Sequence, residues 1–168
     1  SCALASMAAV ACGDLNGDGH LDLAFADHAC GSPDRVLISY GDGAGLLSSG
    51  GSVSVYESPY HVAIADINLD GNNDIVSNSL EGFISVNLFN PQTSGFSAAQ
   101  YLASGAHSSS FIVSDLNNDQ KPDFAFCDIY GKDVGVTLNS IMRIYPDGPH
   151  FICTGSSVML YYTDTIPG

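Results

Sequence analysis

An aspartate-rich pattern that occurs three times constrains the fold of this chain most strongly. The copies begin at Asp14, Asp66 and Asp115, which are 52 and 49 residues apart. Each copy has the form D-x-N-x-D followed by a further Asp four residues later, and apolar segments flank it. A period near 50 residues is typical of β modules such as propeller blades, and it is longer than most helical repeats. The sequence therefore predicts three similar tandem units.

The segments around each copy are predicted to be β-strands. Val62 to Ala65 and Phe111 to Val113 lead into the second and third copies, and β-branched and aromatic residues follow each copy. Further strands are predicted at residues 35–40, 83–89 and 134–138, with outer strands at 52–56, 96–102 and 150–153. Turn-forming Gly, Ser, Asn and Pro separate them, and no segment has a sustained helical period. We expect an all-β fold of about three tandem four-stranded antiparallel β-propeller blades.

The repeat spacing also predicts how the chain is divided. Repeat 1 covers residues 1–50, repeat 2 covers 51–103 and repeat 3 covers 104–154, while 155–168 form an additional strand. Closed propellers usually have four to eight blades, so three blades leave strand edges without partners. Two explanations remain open: the residues belong to a longer chain, or several copies complete a ring or a filament.

The aspartate pattern has the chemistry of a calcium loop. Positions 1, 3, 5 and 9 carry side-chain oxygens, and the variable position 7 offers its backbone carbonyl. Ca²⁺ prefers six to eight such oxygen ligands. The predicted ligands are Asp14, Asn16, Asp18, His20 and Asp22 in loop 1, Asp66, Asn68, Asp70, Asn72 and Asp74 in loop 2, and Asp115, Asn117, Asp119, Lys121 and Asp123 in loop 3. We therefore expect about three structural calcium ions, with tight turns that hold no ion as the alternative.

The loops differ from those of helix–loop–helix calcium proteins. Their twelfth position would be a bidentate Glu, but it is Phe25, Ser77 or Phe126 here. The third loop also has Gln120 where the first two have glycine, so it matches the calcium-loop pattern less closely than they do.

A strand leads into the D-x-N-x-D-G-x-x-D loop, a second strand follows, and then comes a segment such as Ile84-Ser-Val-Asn-Leu with Gly95-Phe96. The order of these features resembles that of the FG-GAP/VCBS repeat family. The resemblance covers about residues 8–154, although Gly45-Leu46 replaces the usual Gly-Phe in the first repeat. Such repeats build the propeller heads of integrin alpha chains and of several lectins. The resemblance implies that the loop side chains bind calcium and that the ions are structural.

The charge distribution excludes several classes of function. The net charge is −14, and sixteen of the eighteen acidic residues are Asp. Nucleic acid and anionic membrane surfaces are poor partners for such a chain. No apolar run is long enough for a membrane-spanning helix. Nine of the acids lie in the three loops, so three bound Ca²⁺ would bring the net charge to −8.

Catalysis is not expected. There is no G-x-S-x-G or phosphate-binding loop, and paired carboxylates occur only in the calcium loops. The predicted function is a calcium-stabilised extracellular module for recognition or adhesion that binds a protein or a glycan. The alternative is a structural subunit of a larger extracellular ring or filament, a homo-oligomer joined through strand edges. Tyr40, Tyr60, Tyr130 and Tyr145 lie near turns and are candidates for exposed rings.

Five cysteines accompany this prediction, at positions 2, 12, 30, 127 and 153. Their number is odd and the sequence does not fix a disulfide pairing. Cys12 and Cys127 lie among apolar residues, where they are disulfide partners or small buried side chains. Cysteines together with calcium loops favour a location outside the cell or in a secretory lumen.

Overall fold

The computed structural model describes residues 6–28, 33–104, 107–128 and 133–139. All regular secondary structure in these ranges is β-strand, and they contain no helix. The prediction of an all-β fold is thereby confirmed.

The first sheet consists of four antiparallel strands, β1 (Ser6–Gly13), β2 (Asp22–His28), β3 (Arg35–Gly41) and β4 (Leu47–Ser54), in the order β1-β2-β3-β4. β4 begins five residues before the predicted outer strand at 52–56 and crosses the predicted repeat boundary at residue 50, so the sheet extends to Ser54.

The second sheet has the same connectivity with one interruption. Its strands are β5 (Pro59–Ala65), β6 (Asp74–Ser79), β7 (Phe83–Asn87) and, after a two-stranded ribbon of β8 (Phe89–Asn90) and β9 (Gly95–Phe96), β10 (Gln100–Ala103). The predicted single outer strand at 96–102 is therefore divided. Phe96 pairs with Phe89 in the ribbon, and only the residues from Gln100 onwards join the main sheet.

The third sheet has three strands among the described residues: β11 (Ser108–Ser114), β12 (Asp123–Asp128) and β13 (Asp133–Thr137). The strand predicted at 150–153, and the additional strand predicted within 155–168, lie outside the described residues. The structure thus contains two four-stranded sheets and a third sheet that shares their first three strands.

Each sheet has two faces, because successive side chains in a strand point to opposite sides. We define the front face by the residues one and three positions after the ninth-position aspartate, and the back face by those two and four positions after it. The front-face residues are Leu23 and Phe25, Ile75 and Ser77, and Phe124 and Phe126, and the back-face residues are Ala24 and Ala26, Val76 and Asn78, and Ala125 and Cys127.

The sheets stack back to front. Ala24 and Ala26 form one core cluster with Ile75, and Val76 forms the other with Phe124 and Phe126. Burying a side chain such as Ile75 contributes about 1.5–3 kcal/mol, so these clusters hold the sheets together. In the part of the chain that the structure describes, no sheet covers the front face of the first sheet or the back face of the third.

Candidate metal-binding loops

Three loops of equal length join the first two strands of each sheet, at residues 14–21, 66–73 and 115–122. Their fourth and sixth positions have left-handed backbone conformations in all three: Gly17 (φ 78°) and Gly19 (84°), Leu69 (60°) and Gly71 (89°), and Asn118 (62°) and Gln120 (66°). The loops therefore share one backbone path. Glycine adopts this conformation freely, whereas a side chain there costs about 1–2 kcal/mol, which Gln120 bears in the third loop.

The side chains at positions 1, 3 and 5 fold back onto the loop backbone. In the first loop, the Gly19 N–H donates to Asp14 Oδ2 at 2.8 Å and the Asp18 N–H donates to Asn16 Oδ1 at 2.9 Å. The His20 N–H donates to Asp18 Oδ1 at 2.8 Å. The corresponding bonds are present in the second and third loops at 2.8–3.0 Å. The repeated polar pattern thus encodes a repeated hydrogen-bond network.

The ninth-position aspartates have a structural role that the sequence analysis did not predict. Asp22 has no exposed surface, and its two oxygens accept the N–H groups of Leu15 at 2.7 Å and Gly41 at 2.9 Å. Asp74 accepts from Ile67 and Phe89, and Asp123 from Leu116 and Asn139, at 2.7–2.9 Å. In every sheet this carboxylate joins the start of the loop to the last residue of the third strand or to a residue two positions beyond it. The only sequence signal is the aspartate's place directly at the start of an apolar strand.

Burial and charge act against Asp74 in its ionised form. The pKa of Asp74 is raised to about 7, chiefly by burial and to a smaller extent by the nearby carboxylates of Asp70 and Asp66, while the N–H groups of Phe89 and Ile67 act in the opposite direction. In the first loop the pKa of Asp18 is lowered, chiefly by the hydrogen bond from the His20 N–H. The second loop therefore concentrates negative charge at a buried point.

The third loop differs from the others in carrying its own cation. Lys121 Nζ lies 3.8 Å from Asp119 Oδ2. The ammonium group offsets part of the charge of this loop, so an ion that binds there gains less from the carboxylates.

The oxygen donors of the loops are of the type that calcium prefers, but their carboxylates do not point at one common position in this structure. Among the described residues, no group of three or more His, Cys, Asp or Glu is placed so that it could hold a metal ion. Each carboxylate has about four lone-pair sites, and the network uses one or two of them in most cases. The lone pairs that remain belong to hard carboxylate and amide oxygens, which are the ligands that Ca²⁺ prefers.

Each of the first two loops also accepts a hydrogen bond from the repeat that follows it, the first from a residue of the second loop and the second from a residue after β13. Asn73 Nδ2 donates to the Asp14 carbonyl at 2.9 Å, and Asn139 Nδ2 donates to the Ile67 carbonyl at 3.1 Å. All three loops therefore lie at the same end of the stacked sheets.

Comparison with models of known protein families matches residues 14–77, and again 66–126, to the FG-GAP-like repeat. The chain belongs to the FG-GAP-like repeat family. Each match begins at the first aspartate of one loop and continues past the ninth position of the next, so the matched unit extends from loop to loop. A search of the curated proteins finds no match.

The tyrosines that the sequence analysis of this FG-GAP-like repeat protein names as candidates for exposed rings differ in their exposure. Tyr60 is exposed and Tyr40 is partly buried, while Tyr130 and Tyr145 lie outside the described residues. Tyr101, which was not predicted, is 51% exposed, and its ring meets that of Tyr56 edge-on at 5.4 Å between centroids.

The two described cysteines, Cys12 and Cys127, are exposed free thiols. The alternative in which they are small buried side chains is therefore wrong. Cys2, Cys30 and Cys153 lie outside the described residues, so the disulfide pairing stays a prediction without an outcome. Cys12 and Cys127 lie on faces of the sheets that no other described sheet covers, where an apolar pattern does not imply burial.

Proposed function

We propose that this FG-GAP-like repeat protein is a calcium-stabilised, non-catalytic β-propeller-type module, similar to VCBS repeats and integrin alpha heads, that acts in extracellular recognition or adhesion. The observation that carries the proposal is the common architecture of the three loops. All three have the same left-handed positions and share three backbone-to-side-chain hydrogen bonds, around side chains with the oxygen chemistry of a calcium site.

Each loop would hold one ion through the side chains at positions 1, 3, 5 and 9 and the carbonyl at position 7. When bound, Ca²⁺ supplies positive charge that offsets three nearby carboxylates. The ninth-position aspartate connects the loop to the third strand, so it would transmit the tightening of the loop to the sheet. The third loop would bind most weakly, because Lys121 already lies beside Asp119.

Calcium titration of the full chain tests this proposal. We expect calcium to raise the unfolding temperature, because a ligand at 100 times its dissociation constant stabilises the folded state by about 2.7 kcal/mol. Calorimetry should give about three ions per chain, and one fewer for Asp70→Asn. Glu81→Gln is the matched control, since it removes one exposed acid outside the loops. No binding heat and no thermal shift at millimolar calcium would refute the proposal.

The extracellular assignment is supported by the family, whose repeats commonly occur in extracellular adhesion-type proteins. In the described residues no helix is long and apolar enough to cross a membrane. The proposed partner is a protein or a glycan, and the exposed rings of Tyr60 and Tyr101 offer apolar surface for it. Binding to a glycan array that is lost on chelation, and weakened by Tyr60→Ala, would support a lectin-like role.

A second candidate function is a structural subunit of a larger extracellular assembly. The observation that favours it is the pair of apolar sheet faces at the two ends of the stack, on which no other described sheet packs. These faces, more than the strand edges that the sequence suggested, offer apolar surface to another subunit.

A further inference from the structure

The two ends of the sheet stack expose apolar side chains that are buried at equivalent places inside it. The open front face, on the first sheet, consists of Val10, Leu23, Phe25 and Leu37. Val10 is 58% exposed and the other three are partly buried. The open back face, on the third sheet, consists of Ile112, Ala125, Cys127, Val134 and Val136. Ile112 is 58% exposed and Val134 is 46% exposed. All nine residues are uncharged, and the charged residues Asp27 and Arg35, which also lie on the front-face side of the first sheet, are paired with each other at 2.9 Å.

The repeat shows what normally covers these faces. Val10 stands four residues before the first loop aspartate, the same position as Val62 and Phe111 in the next two sheets. Val62 and Phe111 are each only 2% exposed, because the back face of the preceding sheet packs on them. Among the described residues, no preceding back face packs on the open front face, and no following front face packs on the open back face.

We infer that the open front face of one copy of this chain packs on the open back face of a second copy, repeating the contact that occurs twice within each chain. The inference rests on the second candidate function and names its contact surfaces. Because the two surfaces are different, the contact is head-to-tail. It generates a ring where the rotation closes and a filament where it does not.

The internal contact also predicts which residues meet between copies. On the back face of the second sheet, Asn78 Nδ2 donates to Ser108 O at 2.6 Å and to Ser108 Oγ at 2.8 Å. The equivalent of Asn78 in the third sheet is Cys127, and the equivalent of Ser108 in the first sheet is Met7. Ser108 is 1% exposed, whereas Met7 is 54% exposed. Cys127 of one copy therefore lies against Met7 of the next.

Mixing of two variants tests the inference. Val10→Glu places a charge on the open front face, and Ile112→Glu places one on the open back face. Both positions are largely exposed in the single chain, so folding is preserved, as circular dichroism can verify. In sedimentation velocity we expect the wild type to associate as its concentration rises and each variant alone to remain monomeric. An equimolar mixture should form a one-to-one dimer and nothing larger, because only one intact pair of faces remains.

Leu69→Glu is the matched control, since Leu69 is 55% exposed but lies in the second loop, away from both faces. It should associate like the wild type. A wild type that stays monomeric, a mixture that does not dimerise, or a control that dissociates equally would each overturn the inference. A monomeric wild type would mean that residues 140–168 or a different protein covers the faces.

Cross-linking gives an independent readout of register. Met7→Cys should form intermolecular disulfides under mild oxidation, and these should be lost in Met7→Cys with Cys127→Ser. An unchanged pattern of covalent multimers in the double variant would contradict the predicted pairing. Calcium titration of Val10→Glu distinguishes this inference from the first candidate function. The loops are unaltered in this variant, so the number of calcium ions bound per chain should equal that of the wild type even where association is lost.

Discussion

The structural role of the ninth-position aspartates makes a prediction that is independent of any metal. Asp22 is fully buried, and each of its oxygens accepts a backbone N–H. In Asp22→Asn, one acceptor oxygen is replaced by an NH₂ group. One of the two N–H groups, from Leu15 or from Gly41, then faces a donor and loses its partner.

The magnitude follows from the cost of a buried donor without an acceptor, which is about 1–3 kcal/mol. We expect Asp22→Asn to lower the free energy of unfolding by about 2 kcal/mol, and Asp22→Ala to lower it by about twice as much. For a chain of this size, 2 kcal/mol corresponds to about 4–8 °C in unfolding temperature. The same change at an exposed loop position, Asp18→Asn, should cost less than about 0.5 kcal/mol, as is usual at the surface.

Urea denaturation in excess chelator measures all three variants against the wild type, so that calcium binding makes no contribution. Under these conditions the side chains serve only the hydrogen-bond network. If Asp22→Asn and Asp18→Asn cost the same, the buried aspartate does not hold the sheet to the loop, and the reasoning from its two hydrogen bonds fails.

Three further predictions concern the second and third sheets in excess chelator. In urea denaturation, Gly71→Gln should lower the free energy of unfolding by about 1 kcal/mol, and Gln120→Gly should raise it by a similar amount. The reason is that both residues have left-handed backbone conformations, while a Cβ at Gly71 would contact no other atom. The free energy of unfolding should fall as pH rises from about 4 to about 7, by on the order of 4 kcal/mol, because the pKa of Asp74 is about 7 when folded and 3.8 otherwise. Asp74→Asn should lack that slope. Burial lowers the pKa of His61 from its usual 6.5. The stability that neutral His61 contributes is therefore present above pH 6.5 and lost as pH falls. The unfolding temperature of His61→Gln should accordingly change less between about pH 7 and 5 than that of the wild type.

The sequence predicts the all-β class and the positions of the loops because both rest on local chemistry. Alternating apolar residues and the D-x-N-x-D pattern act within a few residues of each other. Gln120 shows the strength of the pattern, since the third loop keeps the common backbone path without glycine at its sixth position.

Features that depend on distant residues were missed. The partner of Asp22 is Gly41, nineteen residues away, and nothing in the local pattern indicates that bond. Burial was one alternative for Cys12 because its neighbours are apolar, but Cys12 is exposed, on a side of the first sheet that no other described sheet covers. The outer strand at 96–102 was predicted as one piece because the ribbon that binds Phe96 to Phe89 is not visible in its own sequence.

Two hydrogen bonds between repeats run in the same direction along the chain, each from an amide of a later repeat to the loop of the repeat before it. Asn73 supports the loop before it, through the Asp14 carbonyl, and Asn139 supports the carbonyl of Ile67 in the same way. Among the described residues, the first and second loops thus each receive an amide hydrogen bond from the repeat that follows. Truncation from the two ends is therefore unequal. Removing the first repeat leaves the second loop with its supporting amide, whereas removing the last takes Asn139 away from a loop that is otherwise complete.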